Sequence, residues 1–459
     1  MERINKINTT IPINVIKVIK LLEEHGYSAY IVGGCVRDML MSIKPHDWDI
    51  CTSATPEEIK ELMKKNSIFT FDSGIKHGTI TAVINGENYE ITTYRSEADY
   101  SDGRHPDRVE FIKDIHEDLK RRDFTINAMA YNPLRNELID DFNGSYDIDR
   151  KVIKAVGNPS ERFNEDSLRI LRALRFAIKY QFTIDDYTSL SMHKQRELLV
   201  NISKERITDE FRKMLTSGKP VKDLFKHYRD ILGIIIPDMI SCFEFNQNNK
   251  YHKHDVYTHI LNVVDNCKTD KFEIKMAALL HDIAKPKTYT EDDEGNGHFY
   301  GHPKISYEMS QGILMENFKL PNESLNRILE LVKYHDMDLA CTKASVKRAL
   351  NKHGEDFLND WFILKQADMD DHIYTENSRY IINISGIKEL IKNILDEQAC
   401  FSLKDLKVNG KDIMECLGVK QGKHIGVVLN TLLEEVIDEK INNESKELKD
   451  RAIYIYKNM

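Results

Sequence analysis

The sequence of 459 residues lacks any apolar run of the ~18 residues that a helix needs to cross a bilayer. Its first residues, Met1 to Lys6, are polar and mixed in charge, without the apolar stretch of a secretory signal. We therefore expect a protein that has no membrane partner and resides in the cytoplasm.

Cysteine is scarce and scattered along the chain. The seven cysteines form no Cys-x-x-Cys pair, and their odd number argues against a closed disulfide framework. We interpret them as reduced thiols buried in the core.

An excess of positive charge is also missing, because the formal net charge is −9. That balance excludes a protein that coats nucleic acid through bulk positive charge, since phosphate binding draws on lysine and arginine. A local basic surface remains open. The hydrophobic content of 41% and charged content of 30% are ordinary for a globular protein.

The chain is too long for one compact core and predicts two to four domains at ~150 residues each. Up to about residue 145, short apolar runs alternate with turns, and Asn85-Gly86 between two such runs predicts a hairpin. Further along, apolar residues recur at helical spacing. The fold class is therefore α+β: a small mixed α/β domain followed by helices. We expect four segments, 1–150, 151–245, 246–372 and 373–459.

Two carboxylates form the first candidate site. On a strand through Asp47, Trp48 and Asp49, alternate side chains share a face, so the two aspartates would lie side by side. Like charges ~4 Å apart repel by roughly 4 kcal/mol at an effective dielectric near 20, and a divalent cation reverses that repulsion. Magnesium prefers such oxygen ligands together with substrate phosphates. Taken alone, such a pair more often belongs to a solvated edge strand.

A glycine pair precedes these carboxylates. Gly33 and Gly34 follow the apolar run Tyr30 to Val32, and glycines at such a place allow backbone amides to approach a triphosphate. Arg37 would add positive charge. Together with the aspartates, this set resembles the polymerase-β-type nucleotidyltransferases, and within them the bacterial class II tRNA nucleotidyltransferases, or CCA-adding enzymes.

The resemblance implies a mechanism. Asp47 and Asp49 would hold two magnesium ions between the tRNA 3' hydroxyl and the α-phosphate of CTP or ATP, with Glu90 as the third catalytic carboxylate. Glu90 equally fits a surface strand residue. A non-catalytic RNA-binding protein is the alternative that these carboxylates disfavour.

Two further blocks resemble the nucleotide-binding motifs of that family. In the block from Arg121 to Met129, arginine suits phosphate and an amide suits a ribose hydroxyl. In the block from Glu165 to Phe176, the polar residues repeat every three positions opposite a leucine stripe, which predicts one polar helix face. By resemblance, Asp166 and Arg169 would present hydrogen-bonding edges to the incoming base, so that protein replaces a template. The predicted nucleotide-binding residues of these blocks are Arg122, Asp123, Asn127, Asp166, Arg169 and Arg172.

Nucleotide specificity depends on the polar segment from Arg95 to Asp107, which resembles the family's flexible loop. Enzymes that add only CC lack much of this loop, so its presence favours completion with A. An enzyme that adds only A would also keep it. Poly(A) polymerases carry a basic, aromatic element just upstream of the carboxylates, and residues 39–46 contain none.

A third candidate site combines histidines and aspartates in the segment 246–372, and it resembles an HD domain. Imidazole with carboxylate favours a transition metal such as Mn2+, Ni2+ or Co2+ over magnesium. A metal-bound water there would support phosphoester hydrolysis. Hydrolysis by this segment, with an RNA-binding N-terminal part, is the rival from another class. The candidate ligands are His259, His281, Asp282 and Asp368 for one ion, with His302 and His335 for a second.

The last segment places glycines beside lysines at two turns, in the ranges 408–412 and 417–426. Backbone amides at helix starts bind phosphate, although plain helix caps explain such glycines equally well. By resemblance, this segment is part of the tRNA-binding body and tail.

Overall fold

A computed structural model describes residues 11–75, 78–98, 108–373, 382–397 and 399–459 of the chain. Within them the chain forms two compact units, residues 1–240 with 316–319, and residues 241–315 with 320–459. No helix of this part is long and apolar enough to cross a membrane. Five of the seven cysteines are buried free thiols, whereas Cys341 is exposed and Cys416 is half-buried, so the prediction of core thiols is wrong for these two.

The first unit contains a seven-stranded sheet in the order β3-β4-β5-β2-β1-β8-β9. Its pairs are antiparallel except β2 with β5, which run parallel. The strands of this unit are β1 (Ala29–Val32), β2 (Asp49–Thr52), β3 (Phe69–Gly74), β4 (Thr79–Ile84), β5 (Glu87–Thr93), β6 (Arg95–Ala98), β7 (Arg108–Phe111), β8 (Ala130–Asn132), β9 (Glu137–Ile139), β10 (Val152–Ile153) and β11 (Thr183–Ile184).

Along the chain, the helices of the first unit alternate with these strands and continue after the last of them. Their bounds are α1 (Ile13–Glu24), α2 (Gly34–Leu40), α3 (Pro56–Lys65), α4 (Ile115–Lys120), α5 (Gly144–Arg150), α6 (Pro159–Glu165), α7 (Leu168–Tyr180), α8 (Asp186–Gln195), α9 (Lys204–Leu215), α10 (Lys222–His227) and α11 (Arg229–Ile235), with 3-10 turns at Thr125–Asn127, Arg196–Asn201 and Pro237–Cys242.

Local sequence explains these elements. Asn85 and Gly86 both have positive φ, 55° and 81°, which suits the two-residue turn between β4 and β5. Thr55 and Glu58 form a reciprocal capping box that begins α3. The sheet buries one apolar cluster, which includes Tyr30. The predicted hairpin and the mixed α/β character of this region are confirmed.

Among its described residues, the second unit is helical apart from the two-residue strands β12 (Thr290–Glu291) and β13 (Gly297–His298). Its helices are α12 (Val256–Asn266), α13 (Phe272–Leu280), α14 (Lys285–Thr288), α15 (His302–Asn317), whose last residues belong to the first unit, α16 (Asn322–Tyr334), α17 (Lys343–Met369), α18 (Ile384–Asp396), α19 (Gly410–Leu417), α20 (Lys423–Ile437) and α21 (Ser445–Lys457), with a 3-10 turn at Leu403–Asp405.

The predicted fold class, α+β with a mixed head and a helical remainder, is confirmed. The division into four segments stays a prediction. In the tail, the side chain of Asn409 accepts hydrogen bonds from the backbone N–H groups of Lys411 and Asp412 at 2.9 and 3.3 Å. Gly418 ends α19 with a φ of 66°. Gly418 and Gly422 thus occupy helix caps, and phosphate binding in the tail stays a prediction.

Candidate active site and metal centre

The glycine pair makes the turn from β1 into α2. Gly33 has a φ of 74°, and a Cβ atom built there would lie 2.9 Å from the Arg122 guanidinium. The positive φ favours glycine at this position, and the short approach shows how closely the turn passes the guanidinium. Gly34 is the first residue of α2, and Arg37 follows on that helix. The Arg37 side chain is buried and donates to the carboxylate of Asp38.

The predicted carboxylates lie at one end of neighbouring strands. Asp49 is the first residue of β2 and pairs in parallel register with Glu90 on β5. The prediction that the strand includes Asp47 was wrong. Because Gly33 turns the chain away after Val32, residues 47 and 48 have no antiparallel partner on β1.

The electrostatics of Asp49 favour a cation. Its pKa is raised above the usual range by desolvation, then by the negative charge of Glu90, and further by Asp47, while Arg122 opposes the shift. The side chain nevertheless reaches solvent at the cleft surface. A divalent ion would relieve this repulsion, so the charge at Asp49 suits a cation.

Residues of the second block form a hydrogen-bonded chain beside the glycine turn. The Asn127 amide donates to Asp123 at 3.0 Å and accepts from Arg37 at 2.5 Å. The spacing of Asp123 and Asn127 is spanned by a 3-10 turn rather than an α-helix. Burial would raise the pKa of Asp123, but Arg172, Asn127 and Arg169 hold it well below its usual range. The carboxylate of Asp123 therefore stays ionised.

The third block departs from its prediction in one respect. Asp166 is not on the helix with Arg169 and Arg172, because α7 begins at Leu168 and Asp166 has an extended backbone that ends α6. Its carboxylate instead accepts from the Leu168 N–H at 3.1 Å. Arg172 donates to Asp123 at 2.9 Å through Nε and at 2.5 Å through Nη2.

Arg169 is held by three acceptors. It donates to the Glu165 carboxylate at 2.8 Å and to the backbone carbonyls of Arg121 and Arg162 at 2.9 and 3.3 Å. These contacts leave the Nε–H and one terminal N–H of the guanidinium free of any acceptor in the described part of the chain. The fixed guanidinium therefore keeps donors for a ligand.

A cavity of 610 Å³ gathers these groups in the first unit. Every predicted nucleotide-site residue lines it, and so do Asp47 and Asp49, whereas Glu90 is not among its lining residues. Arginines and lysines outnumber carboxylates in the lining. The lining residues given no role by the sequence are Arg121, Arg175, Phe176, Lys179 and Arg206.

Two of these residues could have been predicted from the sequence. Arg175 and Lys179 continue the helical spacing of Arg169 and Arg172 along α7, so the same pattern predicts them on the cleft side. Arg206 lies on a different helix, α9. No sequence spacing relates it to the other cleft residues, and the tertiary fold brings it to the cleft. Of the predicted flexible loop, Arg95–Ala98 forms strand β6 with β7, and residues 99–107 lie outside the described part.

The second unit brings together all six predicted metal ligands, which we call the histidine–aspartate cluster. Each ligand stands on a helix or directly after one: His259 on α12, His281 and Asp282 after α13, His302 at the start of α15, His335 after α16, and Asp368 near the end of α17. All are buried except His302, which is partly buried.

The histidine tautomers suit metal coordination. His281, His302 and His335 each donate Nδ1–H to the backbone carbonyl three residues earlier, at 2.8, 2.8 and 2.7 Å. Since a carbonyl oxygen only accepts, the neutral form of each ring has its lone pair on Nε2, and the Nε2 atoms of His302 and His335 lie 3.1 Å apart. His259 donates through Nδ1 to Asp371 at 2.8 Å, a carboxylate–histidine contact typical of metal sites.

Asp282 lies between two sets of these nitrogens. Its Oδ2 is 3.3 Å from His259 Nε2 and 3.2 Å from His281 Nε2. Its Oδ1 is 3.2 Å from His302 Nε2 and 3.6 Å from His335 Nε2. Both oxygens are buried and make no hydrogen bond in the described part of the chain, as do the Nε2 atoms of His259 and His281. Buried unsatisfied polar atoms of this kind fit metal ligands.

The cluster has neighbours that the sequence analysis missed. His252 and His372 pair across an isolated β-bridge, and together with His259 they form a further group of possible ligands. Lys285 Nζ forms an ion pair with Oδ2 of Asp282 at 2.7 Å. A cavity of 260 Å³ opens beside these residues. In the sequence, the short spacing from Asp368 to His372 could have indicated that His372 lies near the cluster.

Comparison with known proteins defines the class. Three family profiles match the chain: the Poly A polymerase head domain at residues 29–154, the probable RNA and SrmB-binding site of polymerase A at residues 181–239, and the putative tRNA nucleotidyltransferase domain 2 at residues 308–452. With the carboxylates, the glycine turn and the basic cleft, these matches define a nucleotidyltransferase, a class that uses a divalent metal.

Curated relatives narrow the class to one family. A CCA-adding enzyme of Ligilactobacillus salivarius is 33% identical over 453 residues, which cover 95% of this chain and 94% of that protein. One of Lactobacillus delbrueckii subsp. bulgaricus is 50% identical over 211 residues, 46% of this chain and 52% of that protein. The chain belongs to the CCA-adding enzymes, the tRNA nucleotidyltransferases that the sequence motifs resemble.

Solved structures share the fold along nearly the whole chain. The CCA-adding enzyme of Bacillus stearothermophilus in complex with CTP has a TM-score of 0.64 at 25% identity and covers 96% of this chain and 97% of its own. The Thermotoga maritima CCA-adding enzyme complexed with tRNA has a TM-score of 0.61 at 21% identity, covering 98% of each chain, which is a likeness of fold alone.

Proposed function

We propose that this chain adds C, C and A in turn to the 3' end of tRNA, using CTP and ATP and releasing pyrophosphate. The observation that carries the proposal is the cleft of the first unit, where the predicted metal ligands Asp47 and Asp49, the glycine turn and the predicted base-reading pair line one cavity. Family membership supports the same activity. We expect it in the cytoplasm, where tRNA and both nucleotides are available.

Asp47 and Asp49 would hold magnesium, with Glu90 beside them. When bound, magnesium supplies charge neutralisation at the phosphates and a lower pKa for the attacking hydroxyl. The carboxylates fix that charge at the end of β2, and Glu90 keeps its register through the β2–β5 pairing. The sheet thus places Asp49 and Glu90, and Asp47 lies two residues before β2.

The glycine turn and arginines would bind the triphosphate. The Gly33 turn leaves room for a phosphate beside the Arg122 guanidinium. Arg37 and Arg172 are held by Asn127 and Asp123, so their orientation is set before the nucleotide arrives. Such preorganised cations stabilise the charge that grows on the pyrophosphate leaving group.

Asp166 and Arg169 would select the base. Aspartate accepts a hydrogen bond and arginine donates, and both cytosine and adenine present an amino group beside a ring nitrogen acceptor. The two N–H groups left free on Arg169 fit this role. Protein side chains thereby replace a nucleic acid template.

The test supplies tRNA that ends at the discriminator base, or with C or CC already added, together with CTP or ATP separately. We expect CTP alone to add two nucleotides to the first substrate, and ATP alone to add one nucleotide only to the CC-ending substrate. Addition of ATP alone restricted to CC ends, with no use of CTP, would indicate an A-only enzyme. Long A tracts would indicate a poly(A) polymerase. Either result overturns the proposal.

A second activity is proposed for the histidine–aspartate cluster. It would hold a transition metal such as Mn2+, Ni2+ or Co2+ and hydrolyse phosphoesters, as in the HD domains that it resembles. The buried, unsatisfied oxygens of Asp282 favour this proposal. Hydrolysis of 2',3'-cyclic phosphate, phosphomonoester and 2'-nucleotide substrates would be measured with each metal added. An Asp282→Ala variant that hydrolyses as fast as the wild type would contradict it.

A further inference from the structure

We propose that Asp118 is a positioning residue for the metal site of the cleft, because it holds the Arg122 guanidinium away from Asp49 and so leaves that carboxylate open to a divalent cation. The inference rests on the proposed binding of magnesium by Asp49. It gives a role to a carboxylate on α4 that is not among the residues lining the cavity.

Asp118 is the acceptor that two arginines of the next turn share. Its side chain is 1% exposed. Arg121 donates through Nε and Nη2 to Oδ1 at 3.0 and 2.9 Å, and Arg122 donates through Nη2 to Oδ2 at 3.3 Å. The backbone N–H of Arg95 also donates to Oδ1, at 3.2 Å. One buried carboxylate therefore holds both guanidiniums, each at its own oxygen.

The charge of Asp118 is needed for this arrangement. Burial would raise the pKa of its carboxyl group, but the positive charges of Arg121 and Arg122 bring that pKa below its usual value. The group is therefore ionised at neutral pH. A cation that loses its buried partner costs several kcal/mol, so it moves to another acceptor where one is within reach. Without the charge of Asp118, Arg122 would need a different carboxylate.

Asp49 is the carboxylate that Arg122 would then take. Arg122 lines the same cavity as Asp49. Burial lowers the pKa of the guanidinium, whereas Asp118 and, less strongly, Asp49 raise it above its usual value. The Nε–H of Arg122 is buried and has no acceptor among the described residues, so the side chain keeps an unused donor. Arg122 therefore lies between two acids and is bound by the one that is not catalytic.

An arginine paired with Asp49 would compete with magnesium. Both bind through the carboxylate oxygens, and a fixed positive charge beside them repels the ion. In the contact with Asp118, Arg122 stays instead beside the Gly33 turn, with Nη1 3.5 Å from the backbone carbonyl of Asn127. Asp118 thus separates the cation that serves the phosphates from the anion that serves the metal.

The experiment measures Mn2+ binding as a paramagnetic probe of the magnesium site. The chain is stripped with a chelator, carries Asp282→Asn so that the histidine–aspartate cluster does not contribute, and is titrated while electron paramagnetic resonance reports free Mn2+. The binding that disappears on adding Asp49→Asn defines the cleft site. In Asp118→Asn, we expect the Kd of this site to rise roughly tenfold to a hundredfold, since a charged hydrogen bond then competes with the ion.

A second substitution separates this competition from structural damage. Adding Arg122→Gln to Asp118→Asn removes the competing cation, so the Mn2+ affinity should return to that of Arg122→Gln alone. This comparison also serves as the test if Asp118→Asn by itself has a lowered Tm, because the double variant contains no unpaired Arg122. Weaker Mn2+ binding by the double variant than by Arg122→Gln would overturn the inference, since Asp118 would then act without Arg122.

Arg121→Gln is the matched control. Arg121 binds the same carboxylate and lines the same cleft, but its loss leaves the contact between Asp118 and Arg122 in place. We expect the Kd for Mn2+ to change by less than about twofold. A folded Asp118→Asn variant with the Kd of its parent would overturn the inference alone. Mn2+ binding by the parent that does not depend on Asp49 would overturn the proposed metal role of Asp49, and the inference with it.

Discussion

The two units each gather acidic side chains, but in opposite surroundings. In the first unit, Asp47 and Asp49 face an open cleft lined by arginines, with oxygen as the only ligand type. In the second, Asp282 is buried among imidazoles whose tautomers are fixed by backbone carbonyls. Open oxygen sites suit magnesium with a phosphate substrate, whereas enclosed nitrogen sites suit a resident transition metal.

This difference shows what decides which metal ion a site binds. The type of ligand atom and the way in which the ligands are held matter more than the number of carboxylates. The cleft fixes its cations with carboxylates, as Asp123 does for Arg172. In the cluster, three imidazoles donate to neutral carbonyls and one donates to Asp371, while Asp282 pairs with Lys285. Each centre can therefore be tested by disabling it alone.

The largest effect is expected from Asp49→Asn. Loss of a metal ligand removes several kcal/mol of transition-state stabilisation, which corresponds to a loss of roughly a thousandfold in rate. Single-turnover incorporation of both CTP and ATP should fall together. Asp72→Asn, on β3 of the same sheet and outside the cleft, is the matched control. If the Asp49 variant still incorporated either nucleotide, the assignment of Asp49 as a catalytic metal ligand would be refuted.

The complementary change is Asp282→Asn. Because both carboxylate oxygens face histidine nitrogens, transition metal retained after gel filtration should fall toward zero by elemental analysis. Nucleotide addition should stay within about twofold, as for changes remote from a site. The exposed Asp338→Asn controls for the loss of a nearby charge. Retained metal in the Asp282 variant would show that the cluster does not bind it.

A smaller effect is expected from Arg172→Gln on stability. It leaves the buried Asp123 carboxylate without its arginine, which costs about 2 kcal/mol of unfolding free energy. Trp48 fluorescence during urea unfolding, in a Trp361→Phe background, would report on the first unit. The exposed Arg150→Gln should change the free energy by less than about 0.5 kcal/mol. Equal stability of Arg172→Gln and its parent would contradict the ion-pair account.

The pH dependence of that difference follows from the depressed pKa of Asp123. A carboxyl group with a lowered folded pKa stabilises the fold fully above its unfolded value of about 3.9 and loses this contribution as pH falls below it. The unfolding free energies of the parent and Arg172→Gln should therefore converge below about pH 4. A constant difference across that range would exclude this electrostatic origin.

Local signals predicted much of both centres. Asn85-Gly86 specified the hairpin that places Glu90, because its backbone conformations have few alternatives. The order of histidines and aspartates specified the cluster. The first residue of β2 was not predictable from the alternation of side chains alone, since it depends on where the paired strand β1 ends.

Long-range pairing explains the other omissions. Arg206 meets Asp166 across 40 residues, and Asp371 meets His259 across 112. Neither pair has a local pattern, because each forms only when separate helices pack. The charged residues of α9 look like an ordinary amphipathic helix in sequence. Side chains that position other side chains are therefore the part of a site that is hardest to predict from the sequence.

The most direct test of two separate centres strips all metal from the chain with a chelator and then restores magnesium alone. The account predicts that CCA addition to tRNA returns while elemental analysis still finds no transition metal in the histidine–aspartate cluster. If addition returned only when the transition metal was restored, the assignment of nucleotide transfer to the Asp47 and Asp49 cleft would be contradicted.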